Sequence, residues 1–131
     1  MRTILFVDKD QLFADQMRQA FQTAGYKVLY ARSEAEAEDI FSSTRPEVVI
    51  TEVMLTNPDG GFCLAWKLKR KDPKVPVIMV SSVTWQTDLY FNLTSPGASD
   101  WIKADAFLDK PIRAEELVAA VQSVLQPAKV A

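Results

Sequence analysis

Apolar and polar residues fall into blocks along this chain, and the blocks follow two different periods. Thr3 to Val7 (TILFV) and Val75 to Val80 (VPVIMV) are short, nearly continuous apolar runs, and Val48-Val49-Ile50 is a β-branched run of the same kind. Such runs predict strands buried on both faces. Tyr26 to Ala31 (YKVLYA) is rich in strand formers, and Ala106 to Leu108 reads as a short last strand. Between the strands the period lengthens. Phe13, Met17, Ala20, Phe21 and Ala24 recur at helical spacing, with Asp10 placed to cap that helix and Gly25 to end it. Ser33 followed by Glu36 is a capping box for a second helix, which turns Ala37, Ile40 and Phe41 inward and stops before Pro46. A third helix, roughly Phe62 to Lys71, carries Phe62, Leu64, Ala65 and Leu68 on or near one face, and Asp72-Pro73 closes it. Lys67, Lys69, Arg70 and Lys71 lie in its last turns, as solvated partners of the helix dipole. Lys110-Pro111 leads into a final helix bearing Leu117, Val118, Val121, Val124 and Leu125.

Apolar strands that alternate with helices predict an α/β fold. The expected architecture is flavodoxin-like: a doubly wound, five-stranded parallel sheet in the order 2-1-3-4-5, with about five helices covering both faces. In such sheets ligands bind beyond the carboxyl ends of the strands, where the order reverses. That places Asp8, Lys9, Glu52, Ser81 and Lys110 in one pocket. Glu52 is its focus, an acid at the exit of a buried strand ahead of the turn-rich Pro58-Asp59-Gly60-Gly61. The region after strand 4 is expected to be irregular: Trp85 to Leu93 could make a short helix, but Asn92, Thr94, Ser95, Pro96 and Gly97 break the pattern. It also holds Trp85, Tyr90, Phe91 and Trp101, a density of aromatics that suggests an interaction surface. For Trp85 and Phe91 the favoured reading is that they fill space under the loop, whereas Tyr90 and Trp101 stay open between the two roles.

Composition narrows the function classes. With 131 residues, 48% of them hydrophobic, the chain is expected to form one domain over residues 1–126, with a short tail at 127–131 and no output domain. Fifteen basic and seventeen acidic residues give a net charge of −2 with no basic block, so neither nucleic acid nor a membrane surface is an expected partner. The first apolar run ends at Asp8, too early for a signal peptide or a membrane span, which favours a cytoplasmic protein. Cys63 is the single cysteine and there is no histidine. An internal disulfide, the usual transition-metal sites, a Ser-His-Asp triad and phosphotransfer from a histidine of this chain are thereby excluded. No enzyme activity is expected.

Four stretches carry a family resemblance: ILFVDKD, VVITEVMLTNPDGG, VPVIMVSS and FLDKP. In this order and at nearly this spacing they resemble the response-regulator receiver domain of two-component signalling, over essentially the whole chain. The resemblance implies that Asp8 is the first acid of the pocket, Glu52 stands at the phosphoacceptor position, and Ser81 is the hydroxyl that turns toward a phosphoryl group. It also implies that Phe107 is the aromatic switch and Lys110 the lysine that contacts phosphate. The implied partner is a protein, either a sensor histidine kinase or a downstream target, with a homodimer as the alternative. The implied signalling face runs over residues 84 to 105 and the final helix, with Trp85, Tyr90 and Trp101 as its candidate contacts. Two positions depart from the family: Lys9 stands where it has a second metal-binding acid, and Glu52 where it has aspartate. The span from Ser81 to Lys110 is also longer by several residues.

These departures have electrostatic consequences. Three acids and one lysine give a typical receiver pocket a charge of about −2, which suits a divalent cation with oxygen ligands. Here Asp8 and Glu52 face Lys9 and Lys110, so the expected sum is zero. An ammonium in place of a carboxylate costs a metal ion on the order of 4 kcal/mol at 4 Å in an intermediate dielectric. Magnesium binding is therefore expected to be weak or absent, with no other metal or cofactor. The extra methylene of Glu52 shifts its carboxylate by more than about 1 Å, which in-line attack tolerates poorly. It also lets Glu52 stand as a permanent anion near Lys110 or Ser81. An ion pair between Lys9 and Glu52 is expected, unless Lys9 swings into solvent. The favoured function is a receiver-like protein acting through protein contacts without phosphorylation. The alternatives are a metal-dependent, phosphorylated receiver, and a small-anion-binding module with Lys9 and Lys110 as its clamp.

Overall fold

A computed structural model describes residues 2–57, 60–81 and 104–125. Among these, strands β1 (Thr3–Val7), β2 (Lys27–Ala31), β3 (Val48–Glu52), β4 (Val77–Ser81) and β5 (Ala106–Asp109) form one parallel sheet in the order β2-β1-β3-β4-β5. The helices are α1 (Gln11–Thr23), α2 (Glu34–Ser43), α3 (Gly60–Lys71) and α4 (Ala114–Leu125). The fold class and strand order are those expected from the hydrophobic pattern.

The apolar strands are explained by two cores, one on each face of the sheet. Successive strand side chains point to opposite faces. Leu5, Val7, Val49, Val77 and Met79 therefore pack with Ala37 and Phe41 of α2 and Leu64 and Leu68 of α3. Ile4, Phe6, Val48, Ile50, Ile78 and Val80 pack with Met17 and Phe21 of α1 and Leu117 and Val121 of α4. Burying Phe21 or Phe41 fully, as here, is worth about 1.5–3 kcal/mol each relative to exposure.

Local signals set most of the boundaries. The Asp10 side chain accepts from the Phe13 amide at 3.1 Å, and Gly25 takes the left-handed φ of 95° that ends α1. Ala24, expected on the buried face, is instead the exposed C-cap, since the helical rotation has passed the core by that turn. Ser33 accepts from the Glu36 amide, as a capping box requires, but the Glu36 carboxylate bonds to the Arg32 amide rather than to Ser33. β4 begins at Val77 and not Val75, because Pro76 has no N–H to give to the ladder. The basic end of α3 is less solvated than its sequence suggests. Lys69 pairs with Asp105 at 2.7 Å, Lys67 reaches Glu38 at 3.7 Å, and the Arg70 guanidinium lies 4.6 Å from the centre of the Trp66 ring. Asp105 also accepts the Val77 amide at 2.7 Å, tying the approach to β5 onto β4.

The expected fifth helix and irregular region, with Trp85, Tyr90, Phe91 and Trp101, lie outside the described residues, as does the tail at 127–131. No described helix is long and apolar enough to cross a membrane.

The start of α3 is pressed against the end of β3. A Cβ on Gly61 would lie 2.8 Å from Val53 Cα and closer still to the Glu52 carbonyl oxygen, both backbone atoms that cannot move aside. A Cβ on Gly60 would meet the Glu34 carboxylate, a side-chain end that can shift, though only by loosening its hydrogen bonds to Thr56 and Asn57. Gly61→Ala should cost about 3 kcal/mol in urea unfolding, and Gly60→Ala clearly less. Equal losses for the two would contradict this packing.

Candidate functional site at the carboxyl edge of the sheet

Parallel pairing brings the exits of β1, β3, β4 and β5 to one edge. Asp8 follows β1 directly and is held by three hydrogen bonds: its amide donates to the Ala31 carbonyl at 3.1 Å, its Oδ1 accepts the Asp10 amide at 2.8 Å, and its carbonyl accepts the Tyr30 hydroxyl at 2.7 Å. Burial raises the Tyr30 pKa, Arg32 opposes this, and Asp8, Asp15 and Asp10 add to it, so the phenol stays a neutral donor. Glu52 ends β3 opposite Val80, and its carbonyl accepts the Thr51 hydroxyl at 3.0 Å. Lys110 follows β5, where its amide donates to the Ser81 carbonyl at 2.8 Å.

The Lys110 side chain joins these exits. Its Nζ lies 3.0 Å from Asp8 Oδ2 and 3.2 Å from Glu52 Oε2, and 4.3 Å from the centre of the Phe13 ring. Both carboxylate side chains are 3% exposed and the lysine side chain 16%, so solvent screens little of the attraction. Burial by itself lowers the Lys110 pKa, but the charge and hydrogen bond of Asp8, followed by those of Glu52, outweigh it and hold the ammonium above its ordinary value. The aromatic face adds a cation–π attraction on the third side.

Lys9 is elsewhere. It is exposed and forms no salt bridge among the described residues, so the ion pair expected with Glu52 is not formed. Position 9 lies beyond the end of β1, and Lys110 already occupies the place between the acids, so the long, flexible Lys9 side chain extends into solvent. Two carboxylates against one ammonium leave the buried set at −1 rather than the expected zero. Ser81 is fully buried at the end of β4, and Phe107 is half-buried against the core shared with α2 and α3. Phe13 and Tyr30 were not singled out by sequence reasoning. Helical spacing marked Phe13 as a core residue, but nothing local marks its ring as a seat for an ammonium.

An acid ending β3, an acid after β1 and a lysine after β5, all on a 2-1-3-4-5 sheet, agree with the comparison to known families. The response regulator receiver domain matches residues 4–122. This chain belongs to that family. It is 28% identical over 123 residues to the response regulator MprA of Mycolicibacterium vanbaalenii, covering 94% of this chain and 50% of that protein. It is 27% identical over 126 residues to MprA of Mycobacterium bovis, covering 96% and 51%. The chain thus spans about half the length of these curated relatives. Among solved structures, the signal receiver domain of a signal transduction histidine kinase from Syntrophus aciditrophicus superposes with a TM-score of 0.81 at 26% identity, covering 100% of this chain and 95% of that one. A putative response regulator from Chloroflexus aurantiacus gives 0.79 at 28%, covering 95% and 97%. Receiver domains are signalling modules of two-component systems that interact with histidine kinases and effector domains.

Removing Lys110 would leave two buried carboxylates facing each other. Lys110→Met should cost about 3–5 kcal/mol at neutral pH. A lysine pKa raised on folding gives a contribution that is complete below the ordinary value of 10.5 and is lost as pH climbs through the higher folded value. Urea unfolding of wild type and Lys110→Met should therefore differ by a constant amount from neutrality up to about pH 10 and converge above it. A gap that closes on the acid side of neutrality without any alkaline convergence would assign the difference to the acids alone.

Proposed function

We propose that this receiver domain signals through protein contacts with its acid pocket held in one charge state, without phosphorylation. The observation that carries the reading is the Lys110 ammonium within 3.0 and 3.2 Å of Asp8 and Glu52. Both acids already share an internal counter-ion, and the residue at the acceptor position is a glutamate. A nucleophile tied to a buried ammonium and displaced by a methylene is poorly placed for in-line attack, where small misplacements cost orders of magnitude in rate.

The donor set does not fit the divalent cation of the family. Two buried carboxylates are present where three acids are usual, and each is a counter-ion of Lys110. Among the described residues no three acids, cysteines or histidines are grouped to hold a metal. Lys9 contributes less to this than its sequence position suggests, because an ammonium facing solvent is screened within about 10 Å at ordinary ionic strength. The missing acid and the captured pair weigh more. The small-anion reading loses support for the same reason, since Lys110 has two carboxylates at hand. The partner is a protein, either a kinase or a downstream target.

Incubation with a small-molecule phosphodonor and magnesium, followed by intact-mass spectrometry, should show no phosphate adduct. Glu52→Asp alone should stay inert. Glu52→Asp combined with Lys9→Asp, which restores the third acid and the shorter nucleophile, should gain an adduct at residue 52. A stable adduct on wild-type Glu52 would refute the proposal.

A further inference from the structure

Glu34 opens α2 far from the acid pocket in sequence, yet its carboxylate reaches across to the loop that leaves β3. Oε1 accepts the Thr56 amide at 3.1 Å, and Oε2 accepts the Asn57 amide at 3.2 Å and its side-chain nitrogen at 3.4 Å. The loop is folded on itself around the same point, with the Leu55 and Gly60 amides both donating to the Asn57 carbonyl at 3.0 Å. α3 has no acid in its own first turn, and the Glu34 carboxylate lies against Gly60, its first residue. An anion there faces the positive end of the helix dipole, and only a glycine leaves room for it. From the clamped residues the chain runs back through buried Leu55 and Val53 to Glu52. The Val53 amide donates to Val80 at 3.1 Å and its carbonyl accepts the Gly61 amide at 2.8 Å.

We infer that Glu34 is a positioning residue, a carboxylate clamp from α2 that fixes the β3–α3 loop and through it the backbone on which Glu52 is carried. The clamp stands on α2 and the loop, independently of whether Glu52 accepts phosphate. Burial raises the Glu34 carboxyl, while hydrogen bonds from its own amide, the Thr56 hydroxyl and the Thr56 and Asn57 amides outweigh burial and bring it below its ordinary value of 4.5. Among the described residues, the charged groups lining the cleft beside it are Glu38 on α2 and Lys67 on α3, and Lys67 is engaged by Glu38 at 3.7 Å. No described residue of the loop from Val53 to Asn57 is charged.

The test is residue-resolved amide hydrogen exchange and NMR on the whole chain, for wild type, Glu34→Ala and Glu34→Gln. Glu34→Ala should speed exchange at Thr56 and Asn57 about tenfold or more, shift the Glu52 side-chain signals, and leave the amides of Leu5 and Val49 protected. Glu34→Gln keeps one acceptor oxygen and should restore part of the protection. In wild type, protection at Thr56 and Asn57 should hold above the ordinary carboxylate range and be lost as pH falls through the lower folded value, whereas in Glu34→Gln it should not respond to pH there. Unchanged exchange at Thr56 and Asn57 in Glu34→Ala would overturn the inference. So would deprotection spread evenly over β1 and β3, or loop exchange without any change at Glu52.

Discussion

One buried ammonium holds the working edge of this domain together. Three strands lead out at Asp8, Glu52 and Lys110, and the polarity of a parallel sheet leaves them no choice but to meet. Two carboxylates buried side by side repel and favour protonation unless a cation joins them. Lys110 is that cation, carried in from β5 and steadied by the Phe13 ring from α1. A buried ion cluster of this kind is not necessarily more stable than an apolar replacement, but removing any one member is costly because the others lose their compensation. It therefore specifies the arrangement of β1, β3 and β5 more than it strengthens the fold. The same geometry leaves both carboxylates committed, which is why the pocket is read as locked.

The walls of the pocket are fixed from outside by short-range contacts. Gly61 lets α3 settle on the Glu52–Val53 backbone, Glu34 ties down the loop beyond it, and Tyr30 pins the Asp8 carbonyl. On the far side Asp105 bonds both Lys69 and the Val77 amide, fixing where β5 begins and hence where Lys110 emerges. These groups lie on α2, α3, β2 and the approach to β5, so the position of each ionised side chain is determined by at least one neighbour that is not itself part of the ion cluster.

The fold was legible because its determinants are local. Apolar strand runs, the caps at Asp10 and Ser33 and the turn at Gly25 act within a few residues of where they stand, and sheet order follows from alternation of strand and helix. The meeting of Asp8, Glu52 and Lys110 followed from topology alone. What was missed depends on side-chain direction or on distant partners. Lys9 was expected inside, but Lys110 holds the place between the acids and Lys9 extends into solvent. The ring of Phe13, the reach of Glu34 to Thr56 and the Lys69–Asp105 bridge join residues remote in sequence, and no pattern in one segment announces them. The charge sum changed with Lys9, so the case against a metal shifted from an added ammonium to a missing acid.

The most direct test of the locked pocket is a magnesium titration of the whole wild-type chain at neutral pH, followed through the side-chain NMR signals of Lys110, Asp8 and Glu52. If Lys110 is the resident cation, all three should stay unmoved through millimolar magnesium and keep the signature of an ion-paired ammonium. A saturable shift of Asp8 and Glu52, with Lys110 released toward the signals of a solvated lysine, would contradict it.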